Sequence, residues 1–150
     1  MRTFSDVTLY NKYIDPTTRS EKYQRTQVQK VAFEFRKGSV VLRGGGYIEV
    51  DKATLYIPMA RGANYLAPAA WLTLTDKTGK WTLQPADFAV KGLVTDEIAA
   101  AYTDPVTHLP VAAVTMTTLG KKYDNLFTIG AVKTQDQGSV NLRHWEVELG

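Results

Sequence analysis

Histidine and cysteine are the usual starting points for metal and nucleophile chemistry, and this chain of 150 residues has two of the first and none of the second. His108 has a single carboxylate near it in sequence, Asp104, whereas a zinc site needs about three or four ligands. His144 stands two residues before Glu146, on the same face if the segment is a strand, and a side-chain hydrogen bond between them would account for it. Asp96 and Glu97 are adjacent, so a helix would point them apart and a paired-carboxylate hydrolase finds weak support. An enzyme would instead need Asp87 or Asp96 brought beside another acid or a histidine. Gly44-Gly45-Gly46 opens into the strand-like Tyr47-Ile48-Glu49-Val50 with no Gly-Lys-Ser/Thr behind it, which reads as a loop rather than a phosphate cradle. The chain also lacks a Gly-x-Ser-x-Gly elbow and a dinucleotide fingerprint. The expectation is a protein with no enzymatic activity: no catalytic residues, no metal ligands and no cofactor.

The aromatic residues could do a different kind of chemistry. Trp71, Trp81 and Trp145, with Tyr10, Tyr13, Tyr47 and Tyr56, could line a sugar-binding face or a platform for stacked bases. In a small β-domain such residues more often form the core and cross-strand pairs. Charge is uneven: residues 1–75 hold 11 Lys/Arg against 6 Asp/Glu, and residues 76–150 hold 7 against 9. A basic half beside a slightly acidic one suits head-to-tail stacking or steering of an anionic partner, though ordinary surface variation gives the same imbalance. The dense basic stripe of a dedicated nucleic-acid binder is missing.

The elements that would position these residues are mostly strands. Thr3 to Tyr13 reads as a first strand, with Val7 and Leu9 facing one way and Thr8 and Tyr10 the other. Asp15-Pro16-Thr17-Thr18 is turn chemistry, and the polar stretch Arg19 to Arg25 is expected to continue that loop. Gln27 to Phe35 and Val40 to Arg43 are predicted as the arms of a hairpin turning at Arg36-Lys37-Gly38-Ser39. A strand ending at Pro58 follows, then the loop Met59 to Ala70. Its Tyr65, Leu66 and Pro68 are apolar enough that it should either fold onto its own domain or dock onto a partner. A second hairpin is expected from Trp71–Leu74 and Trp81–Leu83, with an Asx-turn at Asp87 before Phe88 and Val90 re-enter the core. Asp96 to Tyr102 has acids at the start of an Ala-rich run, which suits a helix, and Val111 to Leu119 before Gly120 suits one short helix ending near Tyr123. The last stretch alternates Phe127, Ile129 and Ala131, turns at Gln135–Ser139, and returns with a parity change that a β-bulge at Arg143-His144 would absorb. A chain whose final core strand carries a Trp should end by sealing a barrel or sandwich.

The fold class expected is therefore mainly β, a small barrel or sandwich of antiparallel strands with long loops and one short helix, as a single domain over residues 1–150. The start, Met-Arg-Thr-Phe-Ser-Asp, lacks the apolar core of a signal peptide, and no apolar run reaches the ~18 residues of a membrane span. The absence of Cys fits synthesis in a reducing compartment, so a soluble protein made in the cytoplasm is expected.

Several segments, taken in order, resemble a known family. They are Thr8-Leu-Tyr-Asn-Lys-Tyr, Asp15-Pro-Thr-Thr-Arg, Arg25-Thr-Gln-Val, Tyr56-Ile-Pro, Trp81-Thr-Leu-Gln-Pro-Ala-Asp-Phe-Ala-Val-Lys-Gly and Leu142-Arg-His-Trp-Glu-Val. Together they resemble the small head–tail connector proteins of long-tailed phages and prophages of Gram-positive bacteria, of the head-closure or stopper type. The likeness spans nearly the whole chain, except that Asp104 to Leu119 is longer than the family leads one to expect. It implies a β-barrel assembling as a homo-oligomeric ring in the virion neck, made in the host bacterial cytoplasm. The ring would sit between the portal-bound adaptor and the tail, without catalytic activity, retaining packaged DNA and docking the tail. Lys37, Arg43 and Lys52 flank the glycine loop and are the candidates for non-specific contact with DNA phosphate. Tyr65, Leu66 and Pro68 are the candidates for subunit or partner contact. A carbohydrate- or protein-binding β module is the competing reading.

Overall fold

The computed structural model describes residues 4–41, 47–123, 125–139 and 142–150, with the side chains of 36–41 and 47–51 left out of account. Its frame is six antiparallel strands: β1 (Ser5–Ile14), β2 (Glu21–Val41), β3 (Tyr47–Pro58), β4 (Phe88–Lys91), β7 (Leu126–Gln135) and β8 (His144–Leu149). They neighbour one another in the order β1-β2-β3-β8-β7-β4, and β4 returns to β1 to close the ring. Two strands turn the corners. β2 pairs with β1 as far as Val31 and with β3 from Ala32 onward, while β7 gives Leu126–Thr128 to β4 and the rest to β8. These handovers flatten the barrel into two packed sheets, so its section is that of a sandwich.

The interior is built from one face of each strand. Val7, Leu9, Val31, Leu55, Ile57, Phe127, Ile129, Trp145 and Val147 fill it with Trp81 and Leu83 from the β3–β4 connection. β1 is buried on both faces, because Thr8 and Tyr10 are covered from outside by residues 93–123. That cover packs Val94 and Leu119 on Tyr10 and Val90. The Thr8 hydroxyl fixes its start, donating to Gly92 O at 2.8 Å and accepting the Val94 N–H at 2.8 Å.

Several expected elements lie elsewhere. Strand β2 begins at Glu21, not after Arg25, because the turn is completed by Asp15 N–H to Ser20 O at 2.9 Å. It runs straight through Arg36–Ser39, which is paired with Lys52–Glu49 and is no turn. The glycine loop, with the rest of 42–46, lies outside the described residues. The hairpin of Trp71 and Trp81 is replaced by α1 (Pro68–Leu72), where Pro68 takes the first turn and Trp71 is driven into the interior. Asp96–Tyr102 is not helical. It forms an Ala99–Val114 bridge and leads into a small hairpin of β5 (Tyr102–Thr103) and β6 (Pro110–Val111). The expected short helix is α2 (Met116–Lys122), capped by the Thr115 hydroxyl and ending before Tyr123, with Gly120 inside it. The terminal hairpin of β7 and β8 is present and seals the barrel, but its bulge lies on the first arm, between Ile129 and Val132. There the chain passes so close to β8 that a Cβ on Gly130 would stand 3.4 Å from Glu148 O. Val140 is outside the described residues, and Leu142 is exposed.

One consequence of the register is a projection. β8 pairs with β3 only from Ala53 to Pro58, so the six pairs from Arg36↔Lys52 to Val41↔Tyr47 form a two-stranded ribbon with no third strand among the described residues. At ~3.4 Å per residue it reaches about 20 Å beyond the barrel.

Candidate functional site

The expected DNA contacts fall along this ribbon. Lys37 stands opposite Asp51 and Lys52 opposite Arg36, while Arg43 lies outside the described residues. Lys52 is exposed and borders a shallow cleft of about 220 Å³ shared with Glu148. The loop Met59 to Ala70 folds onto its own domain. The Tyr65 ring packs 4.4 Å from Trp145 and 5.2 Å from Trp81, and the Leu66 N–H donates to Trp81 O at 3.0 Å. Tyr65 is thus committed to the interior, while Leu66 and Pro68 stay half-buried. All three Trp residues are buried, Trp145 the most open at 6% exposure, so none offers a flat face to a sugar or a base.

The titratable groups singled out earlier are engaged structurally. His144 Nε2 lies 3.2 Å from Glu146 Oε1, as their spacing suggested, and its Nδ1 lies 2.8 Å from Leu142 O. Asp87 makes no local Asx-turn but bonds to the adjacent strand β1 and to Gln84, accepting from Asn11 Nδ2 at 3.0 Å, Gln84 Nε2 at 2.8 Å and the Lys12 N–H at 3.2 Å. Burial pushes its carboxyl above the usual range, against the pull of these donors. Asn11 is fully buried, and its amide also donates to Thr82 O at 2.8 Å and accepts the Thr82 N–H at 3.2 Å. A side-chain amide there does what a neighbouring strand's backbone would do, pinning an irregular stretch to β1. Asp96 is held below the usual carboxylate range by Lys122, 3.0 Å away, and Tyr123.

A concave site that the sequence did not announce lies at the other end of the barrel from the ribbon. It is a cavity of about 570 Å³ between β2, β3, the short 3-10 helix Met59–Arg61 and the entry to β8. Three cations reach it: Lys30, Arg61 and Arg143. Among the described residues none of the three has an ion-pair partner. Its wall is mainly apolar and includes Phe4 and Leu142, exposed at 67% and 68%. Tyr56 and His144 border it as a ring pair with centroids 5.8 Å apart, and the Tyr56 hydroxyl donates to Glu34 at 2.9 Å.

Lys30 arrives there by an unusual route. Ser5 pairs with Val31 and Asp6 with Gln29, so Lys30 is the extra residue of a β-bulge. Its φ is 59°, the left-handed region that costs a residue with a Cβ about 1 kcal/mol or more. The sequence carried a trace of this. Val28 and Val31 are both buried yet three apart, which a regular strand cannot arrange. Bulges re-aim side chains, and this one leaves Lys30 lining the cavity.

A second exposed feature is the β5–β6 hairpin, whose tip presents Val106 at 84% exposure, with Leu109 near the tip and Tyr102 at the base also exposed.

No curated protein and no solved structure matches the chain. One family does match, over residues 2–149, and the chain belongs to it: the family of unknown function DUF6751.

Proposed function

We propose that the protein is a structural, non-enzymatic component of a virion neck, a head-closure ring between the portal-bound adaptor and the tail that helps to retain packaged DNA and docks the tail. The observation that carries this reading is the ribbon of Arg36–Val41 and Tyr47–Lys52. A two-stranded ribbon standing in water is marginal at best. Its unpaired backbone edges are templates for another strand, so they favour β-pairing with a neighbouring copy. The ordered connector-like motifs supply the place of assembly, and the apolar β5–β6 tip offers a further protein contact. Lys37 and Lys52, at the base of the ribbon, keep their proposed role toward DNA phosphate, as does Arg43. The burial of all three Trp residues weighs against the sugar-binding alternative.

The test has two arms. The full chain is examined by native mass spectrometry beside Val40→Lys/Ile48→Lys, which puts charge on facing positions of the ribbon. Wild type should form rings and the variant should stay monomeric with an unchanged melting temperature. In an inducible lysogen, deleting the gene should leave heads unjoined to tails and leaking DNA. Normal tailed particles from the deletion strain would refute the neck role, and unimpaired rings from the variant would refute the ribbon's part in it.

A further inference from the structure

We propose that the cavity at the barrel end is a binding site for a single nucleotide unit. Its phosphate would lie among Lys30, Arg61 and Arg143 and its base against the apolar wall that Phe4 and Leu142 help to form. The inference goes beyond the neck reading and does not depend on it. Three cationic side chains line one concavity, which gives it a positive potential that favours an anion. Two of the three are arginines, whose planar fork matches phosphate oxygens in pairs. Phosphate alone does not explain the rest of the cavity. Most of its lining is apolar, and two large side chains are held open to solvent at its rim. The ligand that meets both halves is an anion joined to a flat, weakly polar body, and a volume of about 570 Å³ is the size class of such small-molecule sites. A duplex keeps its bases stacked inside, so the cavity takes a free nucleotide or an unpaired nucleotide of a single strand.

Lys30 strengthens the case because its backbone works against its presence. At φ 59° a glycine would relieve strain, and the side chain that replaces it lines the cavity.

The experiment uses the full chain with five probes: a short fluorescein-labelled oligothymidylate followed by anisotropy, and thymidine monophosphate, thymidine, inorganic phosphate and an acidic apolar peptide followed by calorimetry. The oligonucleotide and the monophosphate should bind, and thymidine should bind far more weakly. Arg143→Ala should weaken oligonucleotide binding by roughly tenfold or more and flatten its dependence on log salt by about 0.7, one phosphate contact's worth. Lys30→Gly should weaken binding similarly while its melting temperature holds or rises. Phe4→Ser should weaken the nucleotide more than inorganic phosphate. The assignment is overturned if Arg143→Ala and Lys30→Gly bind the oligonucleotide like wild type, or if Lys30→Gly melts lower with binding intact. It is also overturned if an acidic apolar peptide binds the cavity and the monophosphate does not.

Discussion

Replacing Asn11 by Leu, nearly its equal in shape, tests how the barrel holds its irregular wall. Asn11 makes three buried hydrogen bonds, two to Thr82 and one to Asp87. Each contributes about 1 kcal/mol net, but Leu would leave both Thr82 backbone groups unpaired in the interior, and each such orphan costs about 1–3 kcal/mol. Asp87 keeps Gln84 and the Lys12 N–H but loses a donor while still buried. The extra apolar contact of Leu returns about 1 kcal/mol. The expected loss is about 3–5 kcal/mol out of a total of about 5–15. For a domain of this size that is roughly 10 °C in melting temperature. Urea unfolding followed by Trp fluorescence, with all three Trp residues in or against the core, reads it directly. Asn11→Asp adds a sign test. It sets carboxylate oxygens where the amide now stands 2.8 Å from Thr82 O and 3.0 Å from the Asp87 carboxylate. Two facing carboxylates cannot both ionise cheaply, so the folded pair binds a proton more tightly than the unfolded chain does. Its damage should be large at pH 7 and shrink as the pH falls. A loss under about 1 kcal/mol for Asn11→Leu, or one for Asn11→Asp that does not shrink in acid, would refute the network as described.

Other outcomes follow from single contacts. Gly62→Ala would put a Cβ 2.5 Å from Cη2 of the buried Trp145 ring, and its near-ultraviolet dichroism should change with a loss of about 1–3 kcal/mol. Val106→Asp, at a tip exposed at 84%, should leave the stability within about 0.5 kcal/mol of wild type yet weaken any complex that uses the hairpin, which pull-down against wild type would read. The wild-type pH profile has two windows. Asp87, raised by burial, contributes stability that is full below its ordinary value of 3.8 and lost as the pH rises through its higher folded value. Asp15, lowered by Lys22, and Asp96, lowered by Lys122, contribute stability that is present above 3.8 and lost as the pH falls through their lower folded values. Thermal melts should therefore rise slightly on mild acidification, as Asp87 takes up its proton, and fall only below about pH 4.

The strands that alternate on one face were readable from the chain, and the closing hairpin of Phe127 to Leu149 most clearly, because period-two burial leaves a period-two sequence. β1 defeated that logic only in part, since Val7 and Leu9 were rightly grouped but Thr8 and Tyr10 are buried too, under a cover far away in sequence. Arg36–Ser39 carried turn residues yet stays extended, because pairing with β3 outweighs local preference. Trp71 was assigned to a strand on its type, but Pro68 and two alanines start a helix whose one buried anchor it is. The Gly130 bulge was displaced to the wrong arm for want of any local mark. The cavity was the least visible feature. Its cations come from three separate stretches of chain, and only the broken parity between Val28 and Val31 hinted that Lys30 would be turned toward it.

The continuous run of β2 from the barrel into the ribbon also has a mechanical meaning. A pull along the ribbon axis enters the barrel through two ladders at once, β2 against β1 and β3 against β8. The β3–β8 ladder directly continues a strand of the ribbon, so its hydrogen bonds must slide together rather than open one by one. A force across the ribbon meets only the β2–β3 pairs and peels them in sequence. The domain should therefore resist tension applied lengthwise far better than the same tension applied sideways, and optical-tweezer handles attached in the two geometries would measure that anisotropy.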